Sequence, residues 1–122
     1  MADSEPVDGP VLLVQWERTL GDLLDRTHRF PKVARFTFTS RVDNLALDIL
    51  EQLISARYAS MSRRKILLSE ADDSLARLRV LLRICHSRQY LDTVGFEYIS
   101  RNLDETGKML GGWRRSLGRQ PE

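Results

Sequence analysis

Cysteine is nearly absent from this chain of 122 residues. The one copy, Cys85, excludes an intramolecular disulfide framework and a zinc site built on clustered cysteines. Proline is scarce as well. Pro6, Pro10, Pro31 and Pro121 lie near the ends or at one corner, and none falls between Lys32 and Gln120. Glycine is sparse until Gly107, so long helices are favoured over many short strands. Histidine is limited to His28 and His86, on different predicted helices. With no G-x-S-x-G elbow, a hydrolase triad has no support. A G-x-x-x-x-G-K-[ST] phosphate loop is also missing. No apolar run reaches the roughly 18 residues of a membrane span. The opening Met1-Ala2-Asp3-Ser4-Glu5-Pro6 is acidic and polar, unlike a secretion or transit signal, so the expected compartment is the cytoplasm.

What is present is globular in kind. Apolar residues make up 42% and charged residues 30%, enough for one domain with an ordinary core. The formal net charge of +2 understates the surface. Setting aside Asp3, Glu5, Asp8 and Glu122 leaves 13 acids against 19 bases, an excess of six. Sixteen of the bases are arginine, whose planar fork suits phosphate and carboxylate. An anionic partner is consistent with that balance.

Apolar periodicity predicts four helices. The first runs from Val11 to Arg29 with Leu13, Trp16, Leu20, Leu23 and Leu24, and Pro31 stops it. The second runs from Ser40 to Ala59, capped by Thr37, Thr39 or Ser40. It has one face of Val42, Leu45, Ile49, Leu53 and Ala56 and another of Leu47, Leu50 and Ile54. The third runs from Arg63 to Ser87 with Leu68, Ala71, Leu75, Leu78, Leu82 and Cys85. The fourth runs from Thr93 to Leu117, capped by Asp92, with Phe96, Ile99, Leu103, Leu110, Trp113 and Leu117. Short corners make the expected fold all-α, an antiparallel up-down four-helix bundle. Its expected extent is 11–119, after a disordered lead-in over 1–10 and before a tail over 120–122.

Metal and acid–base chemistry find little material. A di-iron bundle needs Glu-x-x-His on two helices, and only Asp25 before His28 approaches it. No cofactor and no catalytic group are expected, and Cys85 reads as a small buried hydrophobe. Arg63, Arg64 and Lys65 open the third helix, where the helix dipole disfavours cations. They form either a solvated corner or an anion site with the free backbone N–H groups. Arg79 and Arg83 lie about 40° apart on the third helix, with His86 close to Arg79. Val80, Leu81 and Ile84 point away from its core face, which suggests contact between subunits. Arg114, Arg115 and Arg119 end the fourth helix, where the dipole favours them.

Several segments line up in order: Arg29-Phe30-Pro31-Lys32 with Arg35-Phe36-Thr37, Leu47-Asp48-Ile49-Leu50-Glu51, Ala56-Arg57-Tyr58, Leu78-Arg79-Val80-Leu81-Leu82-Arg83, and Asp104-Glu105-Thr106-Gly107-Lys108-Met109-Leu110-Gly111-Gly112-Trp113. With these the chain resembles the Avd family, the accessory variability determinant proteins of diversity-generating retroelements, over roughly residues 11–117. The closing run is the most specific part. Related four-helix proteins encoded in intervening sequences of 23S rRNA genes match these motifs less well. They leave a ribosome- or RNA-associated bundle, or a purely structural oligomer, as alternatives.

The resemblance implies a four-helix bundle that assembles as a homopentamer with a basic surface. It also implies binding to the retroelement reverse transcriptase and its template RNA, with DNA a further ligand, and no catalytic group. On that footing Arg79, Arg83, Arg114 and Arg115 are the first candidates for partner contact, and Arg63, Arg64 and Lys65 the second. Gly107, Gly111 and Gly112 each cost roughly 1 kcal/mol in a helix. They imply close packing, with Trp113 filling the space they leave.

Overall fold

The computed structural model describes residues 9–118. The expected lead-in up to residue 8, Arg119 and the tail lie outside that range. Four helices make up the fold: α1 (Gly9–Thr27), α2 (Ser40–Tyr58), α3 (Met61–Ser87) and α4 (Thr93–Gly118). Each packs on its neighbour in sequence, and α1 closes against α4. The architecture is the expected up-down bundle.

Helix α1 begins two residues before Val11, with Pro10 at its second position, where a missing N–H costs nothing. It buries Leu12, Leu13, Trp16, Thr19, Leu20 and Leu23. The Trp16 indole N–H donates to the Ala46 carbonyl at 3.0 Å, so the ring is fully buried without an orphaned donor. Beside it runs a polar seam. Gln15 donates to the Asn102 carbonyl at 3.0 Å and accepts from the Thr106 hydroxyl at 2.8 Å, fixing the register of α1 on α4.

The α1–α2 corner differs from expectation. Pro31 is extended, as its ring requires, and ends the first helical path. A 3-10 turn over Lys32–Ala34 and a π turn over Arg35–Thr39 then wind directly into α2. Thr39 has helical dihedrals, and no side chain caps α2. The Ser40 N–H donates to the Thr37 carbonyl, so part of the work expected of a Thr or Ser cap is done by the π turn.

Helix α2 turns Val42, Ala46, Ile49, Leu53 and Ala56 inward. Ala46 takes the fully buried place expected of Leu45, which is half-buried. Of its second apolar face, Leu47 and Ile54 stay in solvent at 39% and 42% exposure, while Leu50 is half-buried against the core. Helix α3 starts two residues earlier than expected, because Ser60 is its cap and accepts from the Arg63 N–H at 3.4 Å. The expected stripe is buried, with Leu67 and Ser74 added.

The α3–α4 corner holds the single described non-glycine residue with positive φ, Gln89 at 66°. The Tyr90 and Leu91 N–H groups both donate to the Cys85 carbonyl, which closes the helix end around that residue. Asp92 caps α4 as expected, accepting from the Gly95 N–H at 2.7 Å. Within α4, Phe96 is half-buried, and the rest of the expected stripe is buried.

Two expectations follow. Gln89→Gly relieves the left-handed strain and should raise stability by about 0.5–1 kcal/mol in urea unfolding. Cys85 is fully buried, and burial pushes its thiol up to about 11 from 9.0. The folded state therefore holds the proton longer than the unfolded state, and stability should fall as pH rises from about 9 toward 11. A thiol reagent at neutral pH should label Cys85 only as fast as the protein opens.

Candidate partner-binding surface

The arginines singled out by sequence have unequal duties. Arg79 is half-buried and bridges α3 to α4. One guanidinium nitrogen lies 2.6 Å from Asp104 Oδ1, and the other donates to the Leu103 carbonyl at 3.1 Å. The side chains of the pair are 35% and 62% exposed, so solvent screens the bridge heavily. Gly107 permits this placement, because a Cβ there would stand 3.1 Å from the Arg79 guanidinium. Arg83, one turn further along the same face, is exposed.

Arg64 is set apart from its neighbours. Its Nε donates to the Ala56 carbonyl at 2.7 Å, and one terminal nitrogen donates to the Arg57 and Ala59 carbonyls at 3.0 and 3.1 Å. These groups end α2, where free carbonyls carry the negative end of the dipole. The guanidinium also lies 5.9 Å from the centre of the Trp113 ring. The cation that looked misplaced at the start of α3 therefore serves the end of α2. The anion-site reading of Arg63-Arg64-Lys65 loses Arg64 to this role and the Arg63 N–H to Ser60.

Lys65, by contrast, lines a surface groove with Gly111, Arg114, Arg115 and Leu117. Arg114 also reaches Asp72 on α3 at 3.2 Å, another exposed pair. The fold thus brings Lys65, Arg114 and Arg115 together. Along α3, Arg79 and Arg83 lie about 20–27 Å from Lys65 by the helical rise, while Arg114, held at Asp72, stands only about 10 Å from the level of Arg79. The candidates therefore run along the α3–α4 side of the bundle, with Arg114 between Lys65 and Arg79.

The motif residues separate by burial. Phe30 is buried, with its ring 5.9 Å from that of Tyr90, while Arg35 and Phe36 are exposed. Trp113 packs not into a space beside Gly107 or Gly111 but against Gly9, where an added Cβ would lie 3.1 Å from the indole. The nearest neighbour of a Cβ at Gly111 is the Arg115 guanidinium, at 3.3 Å.

Leu81 departs from expectation too. It is half-buried against the core, so the outward strip of α3 is Val80 and Ile84, at 44% and 39% exposure. Ile66 falls on the same side of the helix by angle, and Leu47, Ile54 and Tyr58 form a matching exposed strip on α2. Sequence reading found α2's second face but passed over Ile66, hidden inside the basic opening of α3.

Other chemistry has no frame among the described residues. No three His, Cys, Asp or Glu side chains come together as a metal ion would need. His28 is exposed, and His86 stacks on Phe96 with centroids 4.5 Å apart. No helix is long and apolar enough to cross a membrane.

Replacing Arg64 with methionine should cost about 1.5–3 kcal/mol, the usual worth of hydrogen bonds made by a charged group. The same change at exposed Arg63 should cost under about 0.5 kcal/mol. Urea midpoints of the two variants measure the difference.

Compared with known families, residues 11–117 match the model of the bAvd-like family. A comparison with curated proteins finds no match.

Proposed function

Since the chain belongs to the bAvd-like family, the bacterial Avd proteins, we propose that it is the non-catalytic accessory protein of a diversity-generating retroelement, a homo-oligomeric adaptor between the reverse transcriptase and the template RNA or its cDNA. Membership over nearly the whole described chain carries this reading. Avd-like proteins are in general accessory proteins without catalysis of their own. Two features support the finer parts. Exposed apolar strips on α2 and α3 give a surface for packing between copies, with five copies implied by the family. Exposed arginines on α3 and α4 then recur around the assembly, so weak local attraction becomes a strong field.

In this reading Arg83 and Arg115 are free to meet phosphate or an acidic protein surface. Arg79 and Arg114 can exchange an exposed carboxylate for a partner at little cost. Light scattering should give a mass near five times 14.1 kDa. Val80→Asp with Ile84→Asp should shift that mass downward while helicity is retained. Charge reversal at Arg83 or Arg115 should weaken capture of the reverse transcriptase or the template RNA at least tenfold without changing the mass. A monomeric wild-type protein, or capture unaffected by every reversal, would overturn the proposal.

A further inference from the structure

The bundle end formed by the α1–α2 and α3–α4 corners carries a pattern that none of the candidate patches includes. From Arg26 to Val42 the chain has no acidic residue, but it has Arg26, Arg29, Lys32, Arg35, Arg41 and His28. Arg29, Lys32 and Arg35 are exposed. Among the described residues none of these three forms an ion pair. Lys32 and Arg35 line a cleft whose wall includes Thr27, His28, Phe30, Thr39 and Asp43. Asp43 is the cleft's acid, and it is engaged by the Thr27 hydroxyl at 2.7 Å.

Against this basic field stands an aromatic ring with no place in the core. Phe36 is 87% exposed, beside Val33 at 80%. Lack of aromatic company at this end does not explain it. Phe38, two positions on, packs edge-on to Tyr90 with centroids 6.0 Å apart, and Phe30 meets the same ring. Two positions along a helical turn reverse the direction of a side chain, so seating Phe38 sends Phe36 outward. The ring contributes nothing to the bundle and pays a hydration cost in the free protein.

We propose that this corner binds single-stranded nucleic acid, with an unpaired base stacked on Phe36 and the adjoining phosphates held by Arg29, Lys32 and Arg35. Charge complementarity selects a polyanion, since three exposed cations without an ion pair flank the ring in sequence against the single carboxylate of Asp43, which the Thr27 hydroxyl engages. The lone ring selects an unstacked base, because bases inside a duplex present no free face. The cleft lined by Lys32 and Arg35 is concave and polar, which suits a ribose–phosphate step better than a flat lipid surface. The inference deepens the accessory-protein reading, in which nucleic acid is one of two partners, by placing a single-strand site at a corner whose bases that reading does not use.

The test uses the full chain in its native assembly and a fluorescein-labelled oligouridine of about twelve nucleotides, followed by anisotropy at several salt concentrations. F36A should weaken binding about tenfold, within the range that loss of one stacked base produces, and leave the salt slope unchanged. F36W should restore affinity, and its fluorescence should be quenched on binding. K32A and R35A should each lower the salt slope by about 0.7, the single-strand value per phosphate contact. R101Q, on the exposed face of α4, should bind as wild type does.

Oligouridine affinity unchanged in F36A would overturn the site. So would an F36A variant of altered oligomer mass, which would place the ring between copies. Anionic vesicles bound through Phe36 while oligouridine is not would replace the nucleic acid with a membrane. Reverse transcriptase capture measured in parallel separates this site from the accessory role. Failed capture by wild type alongside Phe36-dependent oligouridine binding removes only the accessory role.

Discussion

The guanidinium of Arg64 holds one end of the bundle. Only Ala59 and Ser60 separate α2 from α3, so the last carbonyls of α2 must be satisfied from nearby. Arg64 reaches back one helical turn and takes three of them. The same group covers Trp113 of α4, and Trp113 closes on Gly9 of α1. One side chain therefore sets the α2–α3 turn and seats the indole that receives the start of α1. It also explains how α3 can begin with three bases. The positive end of one helix is unfavourable for a cation, but the negative end of its neighbour lies within the same reach.

The opposite end is built from rings. Tyr90 accepts Phe30 and Phe38 from the α1–α2 corner and lies under the Arg88 guanidinium, 5.6 Å from its ring centre. This difference in construction has an electrostatic consequence. Where helix ends are closed by arginine, the base is consumed by the fold. Where they are closed by aromatic packing, Arg88 is held on Tyr90, but Arg29, Lys32 and Arg35 stay exposed without an ion pair among the described residues. Between the ends, the Gln15–Thr106 seam supplies register without charge.

Much of this was legible in the sequence, for an identifiable reason. Breaker-free helices of 19 to 27 residues repeat their apolar stripe often enough to fix the face, as Leu68 to Cys85 do on α3. Pro31 and Asp92 marked their corners because each acts locally. What escaped depends on partners remote in sequence. Arg79 meets Asp104 twenty-five positions away, and no spacing rule reveals that. Ser60 was hidden as a cap by the basic run after it. The π turn has no composition of its own, so Thr39 looked like a cap although it was already helical. Leu81 was misplaced because its angle lies between the core and the outer face of α3, and packing of α2 decided the matter.

Exposure and pairing together decide which bases a partner can use. Removing Arg64 from its carbonyls would leave those of Arg57 and Ala59 short of a donor at a crowded helix end, while Ala56 keeps the Ala59 N–H, so Arg64 is unsuited to exchange. Arg79 and Arg114 sit in pairs whose carboxylates are 62% and 51% exposed. Such pairs are worth at most about 1 kcal/mol each. A phosphate offering bidentate contact competes successfully with an exposed aspartate of that kind. The paired state then keeps the guanidinium extended and in register until a ligand arrives, which lowers the ordering cost of binding. In the adaptor reading proposed above, Asp104 and Asp72 are placeholders for an anionic partner, and their exposure is what lets them give way.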